Sequence, residues 1–584
     1  MKTIHLILVC MGLCAYAFGQ EPKALAPGKT PDAGVQAYDI QDSVLIKTKE
    51  AISLSAMVVR KKGLNSTAPA ALFFTIYADH DDNLAEAKRS ADHGYIGVVV
   101  NSRGKALSPD VINPYEKEST DVNGAVDWIS KHPWTDGRVA IYGGSYSGFA
   151  AWAATKQLHP ALKTIVPYVA AIPGFGLPME NNVFLNANYG WGFYVGNNKY
   201  LDETGYYDRK HWNDMQFNWY HSGVAYRKID SIEGRQNPLL QRWLQHPSYD
   251  EYWQNMVPWQ EDFAKINIPV LSVTGYYDDG QISALRYFKE HYKYNKNANH
   301  YLIIGPYDHF GAQKGGFPEL RDYKVDPVAL INTRQITYEW MDYVLKGGPK
   351  PALLKDKINY EVMGANKWKH APAIDKMNNQ VLRLYLTGQK SGENQVLSKQ
   401  KMKSKGFLSQ EVDFADRKGT NNDYYPYPIV RKELDRSTGL YFISDPFEEE
   451  VSVDGIFSGL LKASINKKDM DVGLVLYELL PDGTYFHLSY FLGRASYAKD
   501  MTHRNLLKEG EISSIPFSST RMFSRHLSKG SRLLVMLDIN KNPFAQINYG
   551  TGKDVSEESI TDAKVPLKIK WYNDSYVDIP VWKY

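Results

Sequence analysis

Short apolar runs alternate with helix-like stretches along the first part of the chain. Each run has the length of a strand and is continuous, which is typical of a sheet covered on both faces. The stretches between them, at 83–87 and 122–128, have helical spacing. The runs themselves lie at 71–76, 96–101, 139–142, 270–275 and 301–305. This alternation predicts a doubly wound α/β sheet that opens with a hairpin over 44–59.

The pattern changes after residues 346–351, a linker of glycine, proline and lysine. A helical stretch over 328–345 precedes this linker. Beyond it, short β-rich runs recur between turns, at 382–386, 451–453, 472–477, 532–537 and 567–571. Such runs predict a β-sandwich. We therefore assign residues 36–175 and 263–348 to an α/β domain and residues 352–584 to an all-β domain.

An insertion over 176–262 separates the two parts of the α/β domain. Because it would lie over the strand ends, we predict a mostly helical cap that shapes a substrate pocket and restricts water. The insertion is crowded with aromatic side chains, and we expect most of them to pack the cap onto the sheet. They are Tyr189, Trp191, Phe193, Tyr194, Tyr206, Tyr207, Trp212, Phe217, Trp219, Tyr220, Trp243, Tyr252, Trp253 and Trp259.

Residues 1–19 have the pattern of a secretory signal peptide. Lys2 supplies a positive start, residues 4–15 are nearly all apolar, and small residues within 17–19 precede a cut before Gln20. We therefore predict export to the periplasm or the medium and exclude this segment from the fold. Both cysteines of the chain lie within it, so the mature chain would contain no disulfide.

Composition and charge exclude several classes of partner. The chain has 584 residues and a formal charge of only +3, which gives no reason to expect nucleic acid or an anionic membrane as a partner. Hydrophobic residues make up 43% and charged residues 23%, as in ordinary globular proteins. After the signal, we find no stretch long and apolar enough to span a bilayer. The oligomeric state is left open by the sequence.

A serine flanked by glycines follows the strand predicted at 139–142, in the sequence Gly-Gly-Ser-Tyr-Ser-Gly at 143–148. A strand, a tight turn and a helix in this order form a nucleophile elbow, which raises the serine hydroxyl above the sheet. Glycines suit the strained backbone and leave room for the neighbouring strand and helix. We assign Ser145 as the nucleophile, because Ser147 falls one step too far along. Taken alone, the motif also fits an ordinary glycine-rich turn.

Two later strands end in the residue types that a serine nucleophile needs. Asp278 follows the run at 270–275, and His309 follows the run at 301–305. The carboxyl ends of such strands meet at one edge of the sheet, and the order Ser, Asp, His is the one that accompanies this elbow. We therefore predict a triad in which His309 takes the proton of Ser145 while Asp278 orients the imidazole.

Groups near the serine would stabilise the oxyanion of such a reaction. Tyr77 directly follows the strand at 71–76, so its hydroxyl or backbone could reach that oxygen, as could the backbone N–H of Tyr146. Tyr77 could equally be a half-buried tyrosine with a satisfied hydroxyl. The mechanism requires no metal and no cofactor. We interpret the acidic loop at 79–82 as turn and capping groups.

These segments together resemble a known family. The elbow at 143–148, with Gly-Tyr-Tyr-Asp at 275–278 and Gly-Pro-Tyr-Asp-His at 305–309, is similar to the superfamily of cocaine esterases, α-amino-acid ester hydrolases, glutaryl acylases and X-prolyl dipeptidyl-peptidases. Further similar segments are 103–104, 243–253, 362–368 and 469–483. The resemblance covers nearly the whole mature chain. It implies an α/β-hydrolase domain with an inserted helical cap, followed by an all-β jelly-roll sandwich.

The resemblance also implies roles for individual residues. Ser145, Asp278 and His309 take the triad positions, and Tyr77 and the backbone of Tyr146 take the oxyanion positions. The chain departs from the family at the oxyanion tyrosine, since members often have Pro-Tyr-Asp where this chain has Ile-Tyr-Ala-Asp.

A second departure concerns the carboxylates that follow the triad acid. Members that prefer α-amino esters carry further carboxylates there, which bind the substrate ammonium. In this chain Asp279 is followed by Gly280 and Gln281. Asp279 is therefore our candidate for substrate binding, in an ammonium pocket that looks incomplete.

We expect an exported serine hydrolase that cleaves carboxylic ester or acyl-amide bonds through an acyl-enzyme. Its substrate would be a small molecule or a short peptide. The main alternative is an exopeptidase similar to the X-prolyl dipeptidyl-peptidases, although the chain lacks the long N-terminal domain of some of them. A different class is a catalytically silent protein whose jelly roll binds a glycan.

Overall fold

The computed structural model describes residues 37–63, 66–403, 406–419, 424–436 and 439–583. The predicted signal segment 1–19 lies outside these residues. Within them, no helix is both long and apolar enough to cross a membrane.

The first part of the chain alternates strands with helices, as predicted. The strands are β1 (Tyr38–Lys47), β2 (Ser53–Lys61), β3 (Ala68–Thr75), β4 (Ile96–Asn101), β5 (Thr135–Gly144), β6 (Leu162–Tyr168), β7 (Met179–Glu180), β8 (Val183–Phe184), β9 (Val270–Tyr277), β10 (His300–Asp308), β11 (Glu319–Leu320), β12 (Tyr323–Lys324), β13 (Ile358–Val362) and β14 (Lys367–Ala371). The helices are α1 (His80–Asp92), α2 (Glu118–Ser130), α3 (Tyr146–Ala153), α4 (Ala187–Gly196), α5 (Glu203–Tyr207), α6 (Arg209–Ser222), α7 (Ile229–Glu233), α8 (Pro238–Trp243), α9 (Glu251–Gln254), α10 (Gln281–Tyr294), α11 (His309–Lys314) and α12 (Thr333–Lys346).

One large sheet forms the core of this part, and we call it the first sheet. Its strand order is β1-β2-β4-β3-β5-β6-β9-β10-β13-β14 among the described residues. The pairs from β4 through β3, β5, β6, β9 and β10 to β13 are parallel, and the outer pairs are antiparallel. All residues of β4 and β9 are buried, which accounts for their unbroken apolar runs. The carboxyl ends of β5, β9 and β10 therefore lie at one edge.

Local sequence explains where the helices start and stop. The side chain of Asp79 accepts a hydrogen bond from the N–H of Asp82 at 2.8 Å and caps α1, so this acidic loop has the predicted capping role. The helix predicted over 328–345 is interrupted, because Asn332 caps a new helix after a 3₁₀ turn at Pro327–Ala329. That helix, α12, ends at Gly347 with a left-handed φ of 73°.

The insertion carries the predicted cap. It contains α4 to α9 together with a small antiparallel hairpin, β7–β8. The hairpin reaches the C-terminal domain, where the side chain of Asn181 donates to the carbonyl of Leu492 at 2.7 Å and Asn186 N–H donates to the carbonyl of Phe544 at 2.9 Å. The cap is thus fastened to the C-terminal domain.

The C-terminal part is an all-β sandwich. Its strands are β15 (Gln380–Ser391), β16 (Asn394–Ser398), β17 (Phe407–Val412), β18 (Val430–Arg431), β19 (Leu440–Ile443), β20 (Val451–Ile456), β21 (Ser458–Ile465), β22 (Asp471–Leu479), β23 (Tyr485–Arg494), β24 (Ser513–Phe517), β25 (Met522–Leu527), β26 (Arg532–Ile539), β27 (Leu567–Tyr572) and β28 (Tyr576–Lys583). Pairing is antiparallel except between β16 and β19. Each predicted β-rich run lies in one of these strands.

The predicted boundary between the two domains differs from the strand pairing. We placed the start of the all-β domain at residue 352, but β13 pairs in parallel with β10, and β14 pairs with β13. Both strands therefore extend the first sheet. After α12, the linker leads the chain back to the first sheet, and the sandwich begins only at β15. The apolar pattern of two strands as short as β13 and β14 does not indicate which sheet they join.

Candidate active site

Ser145 lies between β5 and α3, where its backbone has φ 57° and ψ −117°. A side-chain-bearing residue adopts such angles only under strain, as a nucleophile elbow requires. Space at the turn is tight: a Cβ on Gly144 would meet Oε1 of Gln313 at 2.0 Å, and one on Gly148 would meet the carbonyl of Tyr168 at 2.7 Å. The side chain of Ser147, in contrast, is buried. The geometry thus separates the two serines of the motif.

Asp278 and His309 are in direct contact. Oδ1 of Asp278 lies 2.9 Å from Nδ1 of His309. The buried carboxylate also accepts from the hydroxyl of Thr274 at 2.7 Å and from the N–H of Gly280 at 3.1 Å. Asp279 lies beside it, and its Oδ1 is 3.0 Å from the same Nδ1. The imidazole therefore meets two carboxylates on one nitrogen.

The elbow and the histidine belong to neighbouring elements. Helix α11 begins at His309, and the side chain of Gln313, one turn later, donates to the carbonyl of His309 at 3.0 Å. The same side chain fills the space beside Gly144. The parallel strands bring Ser145 and His309 to the same end of the first sheet. There, Gln313 packs α11 against the elbow.

The charges around His309 favour its protonated form. Burial alone would lower the pKa of the imidazole, but the carboxylates of Asp279 and Asp278 outweigh it and hold the pKa well above its ordinary value. The pKa of Asp279 is correspondingly lowered, because attraction to His309 outweighs the cost of burial. This arrangement stabilises an imidazolium, the species a general base becomes when it takes a proton.

The hydroxyl of Tyr77 is held beside the elbow. It accepts a hydrogen bond from the indole N–H of Trp191 at 2.9 Å and also interacts with the hydroxyl of Ser145. Burial raises the pKa of Tyr77 to about 12, so the hydroxyl keeps its proton at neutral pH. It can therefore donate to an oxygen near Ser145, as the prediction for this residue requires.

Tyr146 is the first residue of α3, so its backbone N–H is among the N–H groups that have no acceptor within the helix. Its side chain points into the core instead. There its hydroxyl donates to the carboxylate of Glu118 and accepts from the hydroxyl of Ser102 at 3.2 Å. Burial raises the pKa of Glu118 to about 8. The side chain thus anchors the elbow, and the oxyanion role of the backbone N–H stays a prediction.

Three aromatic rings from different segments form a wall next to Tyr77. Trp191 of α4 stacks on Tyr115 with ring centroids 5.2 Å apart, and on Trp243 of α8 with centroids 6.3 Å apart. Trp191 is half-buried, whereas Tyr115 and Trp243 are buried. The cap therefore contributes both an apolar wall and the hydrogen bond that orients Tyr77.

The acid–histidine cluster is also the place where a metal could be held. Asp278, Asp279 and His309 offer ligand atoms that lie within 4.8 Å of one another. These atoms already serve each other as hydrogen-bond partners. The expectation that the reaction needs neither metal nor cofactor stays a prediction.

Sequence reasoning did not assign several residues of this site. Thr274 and Ser272 are the aliphatic hydroxyl residues of a strand that is buried throughout, a signal that could have identified Thr274. Trp191 was one of many aromatic residues in the cap, and nothing in the pattern singled it out. Arg521 of the sandwich donates to the carbonyl of Asp279 at 2.7 Å across 242 positions of sequence. A contact of that span carries no local signal.

The sheet order, the elbow and the inserted cap define the class of protein: this is an α/β hydrolase with a C-terminal β-sandwich. Residues 51–311 match the family of X-Pro dipeptidyl-peptidases of the S15 type. Residues 354–571 match the X-Pro dipeptidyl-peptidase C-terminal non-catalytic domain. The two matches divide the chain in the same order as the fold does.

Individual proteins resemble the chain over nearly its whole length. Cocaine esterase from Rhodococcus sp. (strain MB1 Bresler) is 22% identical over 561 residues, which are 90% of this chain and 95% of the esterase. An aminopeptidase from a marine sediment Thaumarchaeota archaeon superposes with a TM-score of 0.79 at 19% identity and covers 97% of this chain and 100% of its own. An α-amino acid ester hydrolase superposes with a TM-score of 0.74 at 20% identity, over 96% and 99% of the two chains.

The chain belongs to the serine hydrolase superfamily that comprises cocaine esterase, the α-amino acid ester hydrolases and the X-Pro dipeptidyl-peptidases. The family predicted from the sequence is thereby confirmed, as are the fold class and the assignment as a serine hydrolase. The jelly-roll description of the sandwich stays a prediction.

Proposed function

We propose that the chain is an exported serine hydrolase that cleaves carboxylic ester or acyl-amide bonds through an acyl-enzyme. Ser145 is the nucleophile, His309 the general base and Asp278 the residue that orients it. The observation that carries the proposal is the 2.9 Å contact between Asp278 and Nδ1 of His309, at the strand edge where the strained Ser145 stands.

The steps follow from these positions. Nε2 of His309 takes the hydroxyl proton as Oγ of Ser145 bonds to the substrate carbonyl carbon. The carbonyl oxygen becomes an oxyanion, which accepts from the hydroxyl of Tyr77 and the N–H of Tyr146. The imidazolium then protonates the departing alcohol or amine as the acyl-enzyme forms. Water, deprotonated by His309, releases the acid and restores the serine.

Esters and acyl amides are favoured over substrates with a free amino group because of where Asp279 lies. Its Oδ1 contacts His309 at 3.0 Å and also accepts from the N–H of Gly280 at 3.0 Å. A carboxylate engaged in this way is a poor anchor for an ammonium. We therefore propose that Asp279, our candidate for substrate binding, acts on His309 instead.

An exopeptidase of the X-Pro type is the second candidate. It is supported by the match of residues 51–311 to that peptidase family and by the fold of the archaeal aminopeptidase. It requires an ammonium site, and Asp279, 41% exposed, would have to turn away from His309 to supply one. A catalytically silent glycan-binding protein is disfavoured, since the chain is a serine hydrolase.

The test compares Ser145→Ala with Ser147→Ala, a neighbouring serine that is buried and outside the proposed mechanism. Substrates are p-nitrophenyl acetate, phenylglycine methyl ester, a glutaryl anilide and an alanyl-prolyl anilide. Ser145→Ala should lower kcat/KM by about 10⁴-fold or more on any true substrate. Ser147→Ala should retain most activity. Wild-type turnover by Ser145→Ala would refute the proposal, and a dominant prolyl anilide would establish the peptidase.

Export rests on the signal-like segment 1–19, and a separate experiment tests it. The full chain is expressed in a bacterial host, which is fractionated into cytoplasm, periplasm and medium. We expect a mature protein outside the cytoplasm whose first residue is Gln20. Protein that stays in the cytoplasm with residues 1–19 attached would contradict export without touching the catalytic proposal.

A further inference from the structure

The turn between β9 and α10 carries Asp278 and Asp279, and the sandwich domain contacts it directly. Nη2 of Arg521 donates to the carbonyl of Asp279 at 2.7 Å. The next residue, Met522, donates its N–H to Oε1 of Gln281 at 2.6 Å and accepts from Nε2 of Gln281 at 3.0 Å. Two neighbouring residues of the sandwich thus hold the middle of the turn and the first residue of α10.

Arg521 is itself fixed from several sides. Its guanidinium donates to both oxygens of Glu180 in the cap hairpin, at 2.7 and 3.1 Å. The two side chains are only 3% and 1% exposed. The guanidinium also lies 3.9 Å from the ring centre of Tyr490. Because arginine stays charged and three hydrogen bonds hold its planar group, it is a rigid support rather than a proton donor.

We propose that Arg521 is a positioning residue for the reaction, through which the sandwich domain holds the turn that presents Asp278 and Asp279 to His309. This inference rests on the proposed triad. Its physical basis is that both carboxylates meet the same Nδ1, at 2.9 and 3.0 Å, so a small shift of the turn changes both contacts together. The domain named non-catalytic in this family then takes part in catalysis through main-chain geometry.

Another buried pair in the sandwich shows that ion pairing alone does not explain the placement of Arg521. Arg494 makes a bidentate pair with Asp471 at 2.8 and 3.0 Å, with side chains 2% and 1% exposed. Its Nη2 also donates to Oε1 of Gln546 at 2.8 Å, again within the sandwich. Arg521 is equally buried and paired, but its third hydrogen bond ends on the catalytic turn. Arg494 is therefore a matched control.

The experiment compares Arg521→Lys with Arg494→Lys by thermal unfolding and by the pH dependence of kcat and kcat/KM on p-nitrophenyl acetate. Both should lower Tm. Arg521→Lys should also lower kcat by about 10- to 100-fold, with KM within about twofold. The acid limb of the pH profile of kcat/KM should move to lower pH in Arg521→Lys, because carboxylates that have shifted away from Nδ1 stabilise the imidazolium less. Arg494→Lys should keep the wild-type limb.

Equal kcat and equal acid limbs for the two lysine variants would overturn the inference, since a structural role would change only the amount of folded enzyme. If Arg521→Lys does not fold, the double variant Glu180→Met with Arg521→Met removes both charges and leaves none buried and unpaired. The double variant should show the same shift of the acid limb to lower pH, and an acid limb at the wild-type pH would again overturn the inference. Wild-type turnover by Ser145→Ala would instead refute the proposed function, and it is measured independently of the Arg521 variants.

Discussion

Two clusters of charged side chains meet on opposite sides of the turn after β9. On one side, Asp278 and Asp279 face His309, whose side chain is 15% exposed and can exchange a proton. On the other side, Arg521 pairs with Glu180, and both are almost fully buried. The first cluster contains groups that titrate against one another, whereas the second contains a guanidinium that does not titrate.

The contrast between the two clusters shows how one turn can serve both chemistry and support. The cluster around His309 changes charge during the proposed reaction, so it needs a frame that does not respond to that change. A buried, bidentate pair provides such a frame, because moving either partner would leave an unpaired charge in the protein interior. Substitutions on the two sides should therefore differ in kind as well as in size.

Asp278→Asn should have the largest effect of the substitutions around this turn. The amide oxygen can still accept the Nδ1–H of His309, but the side chain is neutral and its NH2 group is a donor, so the imidazole loses charge stabilisation and its orientation is no longer fixed. We expect kcat/KM to fall by about 10⁴-fold. The measurement is ester hydrolysis at saturating and low substrate concentrations.

Tm is the control for Asp278→Asn, since the carboxylate also accepts from Thr274 and Gly280. Thr274→Val removes one of those contacts and leaves the carboxylate in place. If kcat/KM falls less in Asp278→Asn than in Asp279→Asn, the two carboxylates have the opposite of the roles that we assign to them.

Tyr77→Phe should have the next largest effect. It removes one oxyanion donor and keeps the ring, so kcat should fall roughly 10²–10³-fold with little change in KM. Trp191→Phe is the matched control, because it removes the indole N–H that orients the hydroxyl and leaves the hydroxyl itself. Its loss should be smaller. If kcat of Tyr77→Phe equals that of the wild type, the hydroxyl of Tyr77 is not an oxyanion donor.

The parts of the fold that could be predicted from the sequence are those set by local pattern. Continuous apolar runs identified five strands of the first sheet, β3, β4, β5, β9 and β10, and the residues just after three of them, Ser145, Asp278 and His309, were predicted to meet at one edge. The structure brings Asp278 and His309 to 2.9 Å. Parallel strands make this inference possible, because position along the chain then fixes which edge a residue occupies.

The contacts that escaped prediction depend on packing between distant segments. Arg521 and Glu180 are 341 positions apart, and their pairing requires the cap hairpin and the sandwich to meet. The return of β13 to the first sheet was missed for a related reason, since a strand after a linker can pair with either neighbour. The contact of Asp279 with His309 was also beyond sequence reasoning, because a carboxylate in a loop can pair with a substrate or with a histidine.

Asp279→Asn should cause a smaller loss than either substitution above, with a specific pH signature. The carboxylates of Asp279 and Asp278 together raise the pKa of His309. The base acts in its neutral form, so activity rises with pH through that pKa. Removing one negative charge lowers the pKa, and the acid limb of kcat/KM should therefore move to lower pH. An unmoved limb, together with a raised KM for amino esters, would return Asp279 to substrate binding.

The smallest effect on activity is expected at Glu118, a buried carboxyl beneath the elbow that contrasts with Glu180. Glu180 is paired with a guanidinium, whereas Glu118 accepts from the hydroxyl of Tyr146 and, at 3.2 Å, from the N–H of Lys117. Burial raises the pKa of Glu118 from 4.5 to about 8. A carboxyl whose pKa is raised by folding ionises first in the unfolded chain, so the stability that it contributes is lost as pH rises between these values.

Glu118→Gln cannot ionise and should escape that loss. The difference in Tm between variant and wild type should therefore shift in favour of the variant as pH rises from about 5 to about 8. The activity of the variant should stay close to wild type, because Tyr146 contributes its backbone rather than its side chain to the oxyanion. Glu180→Gln is the contrasting substitution. It leaves the buried charge of Arg521 without its carboxylate partner and should lower Tm throughout this range. A Tm difference at Glu118 that does not change with pH would mean that the carboxyl is ionised in the folded enzyme, and the two glutamates would then be alike.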